Sequence, residues 1–443
     1  MRSYFAFATE FRSGKTSPSE FLAHSHAELD RREPVLKAFV HVAREASIAA
    51  AKASDVRWRA GKPLSPVDGM PLGIKDIIET ADMPTGQGSP LWAGFATRRD
   101  AASVQALREA GAIIFGKTTT TEYATSEPLH DTTNPHDPKR TPGGSSSGSA
   151  ASVGAGILPA ALGTQVVAST LRPSSFCGVV GFKPSVGGLN RAGSYDHLSQ
   201  SCTGILAASP ADAWIVASAI AERVGGDPGF VGLQGPTLPP AARKPVRLGV
   251  LETGGWGKTT PGARAAFAAA RAKLAAQGVE LADRGSDPDI EGLERAISDA
   301  FDLTFRIFDW EFRWPLASYA KGDPRGLSPG LRKRLTDAAH LTLADYRADL
   351  ARRQAIRERY GWVAARCDGF VTLAATGAAP IGLKSTGDPA VNVAASLLGV
   401  PAMTLPVLAD EGLPLGLQLI GRADRDADLF AVAEWVWASA GLR

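Results

Sequence analysis

A chain of 443 residues with 44% hydrophobic and 21% charged residues has the composition of a globular protein long enough to bury a large core. Its 48 basic and 45 acidic residues leave a net charge of +3, too balanced for a polyanion-binding surface, and no basic stripe interleaved with aromatics tracks nucleic acid. No run approaches the ~18 apolar residues of a membrane span and the first eleven residues, MRSYFAFATEF, lack the apolar region of a signal peptide, so a cytoplasmic protein acting on a small molecule is expected.

In chain order, Ser17-Pro18 caps a helix running to Leu29, and the alanine-rich Val35 to Arg59 predicts a second, amphipathic one. Pro71 to Ile78, PLGIKDII, reads as a short apolar strand carrying one lysine. Ser103 to Ala110 is a helix leading into the strand Ala112 to Phe115. The residues from Pro245 to Glu280 give strand, helix and strand, a βαβ pattern. Between Phe301 and Trp314 the aromatics Phe301, Phe305, Phe308, Trp310, Phe312 and Trp314 either line a pocket or pack a helix on the core. Short strands return at GFVTLAA, VPAMTLPVL and LGLQLIG, followed by a closing helix. No long linker divides these pieces, so residues 1–443 read as one α/β domain. Within it lie N-terminal helices (1–60), a catalytic core (61–240), a variable substrate-side region (241–360) and the C-terminal part of the core (361–443).

Two motifs fail on context. Gly111 to Thr118, GAIIFGKT, matches the phosphate-loop pattern, but the residues between its glycines are the strand itself and a helix precedes them, the reverse of the order that motif needs. Gly144 to Gly148, GSSSG, matches the nucleophile elbow around Ser146, yet DPKRTP and not an apolar strand precedes it. The seven histidines show no metal-ligand spacing and none lies in a glycine-serine motif. Cys177, Cys202 and Cys367 are odd in number and far apart, which argues for buried thiols over a disulfide framework or a zinc cluster.

The stretch from Gly143 to Pro184 carries more information. Small residues there let backbone amides converge on a reacting atom, and clustered hydroxyls beside an apolar strand supply a nucleophile and a proton carrier. Without a histidine base, the proton acceptor is a lysine whose pKa burial has lowered. Lys75, among the apolar residues of MPLGIKDII, fits. Its neighbour Asp76 points to the other side of a strand and need not pair with it.

GGSSSGSAASVGAG, GTQVVASTLRPSSFCGVVGFKPS, GMPLGIKDII and NPHDPKRTPGG together resemble the amidase signature hydrolases, with weaker matches over nearly the whole chain. In motif detail the resemblance is closest to malonamidase-like bacterial amidases. It implies a large twisted mixed β-sheet covered by helices on both faces. It makes Ser169 the nucleophile, Ser145 the bridging serine after a cis Gly144-Ser145 bond, and Lys75 the base. Backbone amides of Val166, Val167, Ala168 and Ser169 become the oxyanion hole. Lys183, in GFKPS, is a competing lysine whose family counterpart is not the base. Arg172 is similar to the arginine by which malonamidases hold a substrate carboxylate, and Ser385 to Asp388 with Asn392 are similar to the same relatives. No cofactor or metal is implied; the partner is a small-molecule amide, and a homodimer is admitted.

The chain departs from this family where GTDxGGS becomes GTQVVAS: Gln165 replaces an acid, and Val167 and Ala168 replace glycines. Ser201 stands where many relatives carry aspartate. The expected activity is hydrolysis of a linear amide through an acyl-enzyme, with carbamates, ureas or aryl anilides as the alternative substrates. An amidotransferase A subunit, handing ammonia to a partner, is the alternative of another class; the GTQVVAS departure and the lack of an evident docking feature argue against it. A catalytically dead binding protein is the third class, disfavoured because all three reactive residues are present.

Overall fold

The structure is a computed structural model of the chain and describes residues 1–125 and 127–439. Among these residues eleven strands form one sheet: β1 (Phe39–Val42), β2 (Pro71–Lys75), β3 (Ile113–Thr118), β4 (Ala160–Gln165), β5 (Val180–Lys183), β6 (Cys202–Ala207), β7 (Arg247–Val250), β8 (Glu280–Ala282), β9 (Gly369–Leu373), β10 (Ala402–Asp410) and β11 (Leu413–Ile420). The spatial order is β1-β3-β2-β4-β6-β5-β10-β11-β9-β7-β8. β2 runs parallel to β3 and β4, and β7 runs parallel to β8 and β9, whereas the other pairings are antiparallel, so the sheet is mixed as expected.

Both faces are covered, and alternation along the strands shows how. In β10, Met403 and Leu405 enter the apolar core that holds Trp214, Phe267 and Phe430 from the helices Pro210–Val224, Pro261–Ala276 and Asp426–Ser439. The alternate residues face the other layer: Ala402 packs into a second core with Val393 and Leu397, and the Thr404 hydroxyl donates to the Leu171 carbonyl at 2.9 Å. A period of two therefore sends successive side chains to opposite helical layers. Such two-sided burial explains why these strands read as nearly continuous apolar runs.

The strand-helix-strand reading of 245–280 holds: β7 and β8 pair in parallel across the helix Pro261–Ala276. The reading of Val35 to Arg59 as one helix does not. The helix that begins at Pro18 continues through Pro34 to Leu36, Lys37 turns the chain at a φ of 51°, and Phe39–Val42 pairs antiparallel with β3 before the helix Arg44–Arg59 begins. FVHV carries two β-branched residues, and the free edge of β3 outweighs the alanine-rich helical pattern around it.

Candidate active site

The site gathers at the ends of β2 and β4. Lys75 is the last residue of β2; the amides of Ile77 and Ile78 turn back onto its carbonyl at 2.8 and 2.9 Å and end the strand there. Its Nζ lies 2.7 Å from Ser145 Oγ and 2.8 Å from Thr164 Oγ1, and the side chain is wholly buried. Burial pushes the Lys75 pKa down to about 7, with the Asp196 carboxylate pulling weakly the other way. Asp76 is engaged elsewhere: it forms an ion pair at 3.2 Å with buried Lys117, which also donates to Thr85 Oγ1 at 2.7 Å. Lys117, the lysine of the phosphate-loop look-alike, is thus committed inside the core.

Ser145 follows a cis peptide bond from Gly144, as the family resemblance implied. The two preceding glycines are sterically required. Gly143 has a φ of +82°, and a Cβ on Gly144 would meet Thr386 Cγ2 at 2.5 Å. Ser146 instead enters the base of the helix Ser147–Gly154, its hydroxyl donating to the Thr164 carbonyl at 3.3 Å.

Ser169 follows β4 in the turn that starts the helix Leu171–Cys177, and is half-buried. Ser145 and Ser169 both line one cavity of about 150 Å³, whose wall includes Val166, Val167, Ala168 and Arg172. Among the described residues, none of the N–H groups of Val166, Val167, Ala168 and Ser169 donates a hydrogen bond within the protein. Neither Val167 nor Ala168 takes a positive φ, so the replacement of two glycines costs this backbone nothing.

Arg172 is buried at the cavity wall, and burial lowers its pKa to about 10. Its Nη1 donates to the Gly387 carbonyl and its Nη2 to the Gly144 carbonyl and Thr386 Oγ1, all at 2.8 Å, while Nε has no partner among the described residues. The Ser385 to Asp388 turn therefore meets the site through Arg172. Asn392 is a core group bonded to the Ala374 carbonyl and Gln418. Lys183 is likewise structural, its Nζ donating to the Pro184 carbonyl at 2.8 Å. Ser201 is buried, its hydroxyl unpaired among the described residues.

The aromatic helix, Ala300–Gly322, serves both anticipated roles. Phe305 and Phe308 line the cavity, Phe312 packs in the core beneath, and Trp314 is 75% exposed. Sequence reasoning passed over Thr164, Asp196 and Arg334. Arg334 reaches the cavity wall from the helix Pro329–Ala338, its guanidinium over the rings of Phe305 and Phe308 and paired with Asp309. Thr164 lies inside the quoted GTQVVAS motif, adjacent to Gln165, and was the one with a readable signal.

The fold agrees with the comparisons to known proteins. The Amidase family model matches residues 20–430, and the chain belongs to that family. The A subunit of the glutamyl-tRNA(Gln) amidotransferase from Chloroflexus aggregans is 32% identical over 460 aligned positions, covering 96% of this chain and 94% of that protein. A crystal structure of an amidase superposes with a TM-score of 0.85 at 28% identity, covering 99% of both chains. The native peptide amidase from Stenotrophomonas maltophilia superposes with a TM-score of 0.78 at 27% identity, over 98% of this chain and 96% of that one.

Proposed function

We propose that the chain breaks a linear amide C–N bond by acyl transfer to Ser169. The observation that carries this reading is the 2.7 Å contact between Ser145 Oγ and a buried Lys75 whose pKa is pulled down to about 7. A lysine so placed is substantially neutral near pH 7 and serves as a base. Lys75 takes a proton from Ser145, Ser145 takes one from Ser169, and Ser169 Oγ attacks the amide carbonyl. The N–H groups of Val166 to Ser169 receive the negative charge on the carbonyl oxygen, a term worth ~3 kcal/mol per donor. The proton returns through Ser145 to the leaving nitrogen, and the acyl group departs to water.

Two fates of the released nitrogen remain within this chemistry. A stand-alone amidase releases it to solvent, and the likeness to the two amidase structures supports this. An amidotransferase A subunit delivers ammonia to a partner, and the curated relatives named for that role support it more directly than motif detail had argued against it. The first test is common to both: Ser169→Ala lowers turnover by at least about a thousandfold and abolishes labelling by a fluorophosphonate. Wild-type turnover in Ser169→Ala would remove the assignment. A panel of primary amides, p-nitroanilides, carbamates and L-glutamine then separates the fates. Turnover by the isolated chain supports the amidase, and glutamine hydrolysis that needs a second protein supports the amidotransferase.

A further inference from the structure

In a trans peptide the carbonyl of one residue points opposite to the N–H of the next, so whatever holds the carbonyls of residues 166–168 also aims the N–H groups of 167–169, and the Ser169 carbonyl fixes the end of the loop. Each of those carbonyls is held. The Val166 carbonyl accepts from Gln200 Nε2 at 3.2 Å, that of Ala168 from the Arg172 amide at 3.1 Å, and that of Ser169 from the Ser146 amide at 3.2 Å. The Val167 carbonyl accepts twice, from Ser396 Oγ at 2.8 Å and from Gln165 Nε2 at 3.3 Å. Gln165 and Ser396 are wholly buried.

The Gln165 carboxamide has no spare capacity. Its Oε1 accepts from the amides of Thr170 and Leu171 at 2.9 and 3.0 Å, and its Nε2 donates to Ser396 Oγ at 3.0 Å as well as to the Val167 carbonyl. Because both partners of Oε1 are N–H donors, the amide has only one workable orientation. A carboxylate fills half of this role. It accepts from the start of the Leu171–Cys177 helix, but on the other side it presents an acceptor to a carbonyl. Ser396 then turns its hydrogen to the carboxylate, and the Val167 carbonyl loses both donors.

We propose that Gln165 is the positioning residue of the oxyanion loop: with Ser396 it holds the Val167 carbonyl away from the cavity and so aims the Ala168 N–H at the developing oxyanion. This rests on the acyl-transfer reading above and explains what replaces the family's acid in GTQVVAS. Gln165→Glu, isosteric but lacking the Nε2 donors, is the informative variant. For the panel amide with the highest turnover, kcat falls at least about tenfold with KM within about twofold, since one donor contributes in the transition state. The trifluoromethyl ketone of the same acyl chain, which forms a tetrahedral oxyanion, weakens by the same factor, while an unreactive ketone isostere binds unchanged. The ratio of variant to parent rates of fluorophosphonate labelling climbs as pH falls, because the protonated carboxyl regains one donor.

Ser396→Ala removes a single hydroxyl and gives a smaller loss of the same pattern, which Ser396→Thr restores; it serves if Gln165→Glu does not fold. Wild-type kcat in Gln165→Glu and Ser396→Ala, a pH-independent labelling loss, or equal weakening of the two ketones overturns the proposal. With Ser169→Ala inactive in the same assays, such a result leaves the acyl-transfer reading standing. Turnover surviving in Ser169→Ala removes that reading itself.

Discussion

At the scale of single residues, Lys75 sets how the protein responds to pH. Its pKa of about 7 arises from burial, so the rate is expected to rise as pH is raised through about 7, with the neutral amine as the active form. The stability consequence has a definite sign. Between about 7 and the ordinary lysine value near ~10.4 the unfolded chain holds a proton that the folded one has released, so stability from this group rises with pH across that window. Below about 7 both states are protonated and the folded state carries a buried charge. Lys75→Met is therefore expected to abolish turnover yet to be more stable than the parent at pH 6, as read by urea denaturation at pH 6 and 9. An unchanged difference in stability at the two pH values would contradict a depressed lysine. Lys75 was legible because a lysine in an apolar strand must be functional or costly, a local conflict visible in six residues. Thr164 sits inside the GTQVVAS motif, but its contact with Lys75, 89 positions earlier, is made by the sheet, and Asp196, 121 positions on, acts on Lys75 from the loop before β6, which no local pattern encodes.

At the scale of elements, β2 and β3 show the sorting of two buried lysines side by side. Lys117 in β3 is paired with Asp76 and with Thr85 and the Pro84 carbonyl, whereas Lys75 has only hydroxyls within hydrogen-bond reach. Burial lowers both pKa values, but Asp76 pulls that of Lys117 back up. Lys117→Met strands the Asp76 carboxylate in the core and is expected to cost ~3 to 5 kcal/mol of unfolding free energy. Adding Asp76→Asn to it is expected to recover a large part of that loss, giving a strongly non-additive double-mutant cycle by urea unfolding. Additive losses would show that the two side chains act independently. The phosphate-loop look-alike was dismissed on element order alone, and β3 justifies that order. The failure at Phe39–Val42 has the opposite lesson: a four-residue edge strand between two helices has too short a pattern to outweigh alanine-rich surroundings until its partner in β3 is known.

At the scale of the whole molecule, a helix-layered α/β sheet followed from the apolar runs and the strand-helix-strand pattern and its mixed character from the family resemblance, but which segments converge on the cavity followed from neither. Residues 139–144 and 379–387 meet through long-range bonds: the Thr141 amide donates to the Pro380 carbonyl at 3.1 Å, the Gly382 amide to the Lys139 carbonyl at 2.8 Å, and Arg140 Nη1 to the Ala379 carbonyl at 2.6 Å. Arg172 completes this junction, tying the Gly144 carbonyl to Thr386 and Gly387 across more than 200 residues of sequence. Its two terminal nitrogens are thus engaged by the protein, which favours holding the serine-bearing turn over gripping a substrate carboxylate. Arg172→Ala removes three hydrogen bonds, one to the buried Gly144 carbonyl and two to the part-buried Thr386 and Gly387, and is expected to lower turnover of neutral and anionic amides by the same factor, about tenfold or more. Steady-state kinetics on a matched pair of amides differing only in a terminal carboxylate checks this. A loss confined to the anionic member would return Arg172 to substrate recognition, because a guanidinium serving only the fold has no means of distinguishing the two.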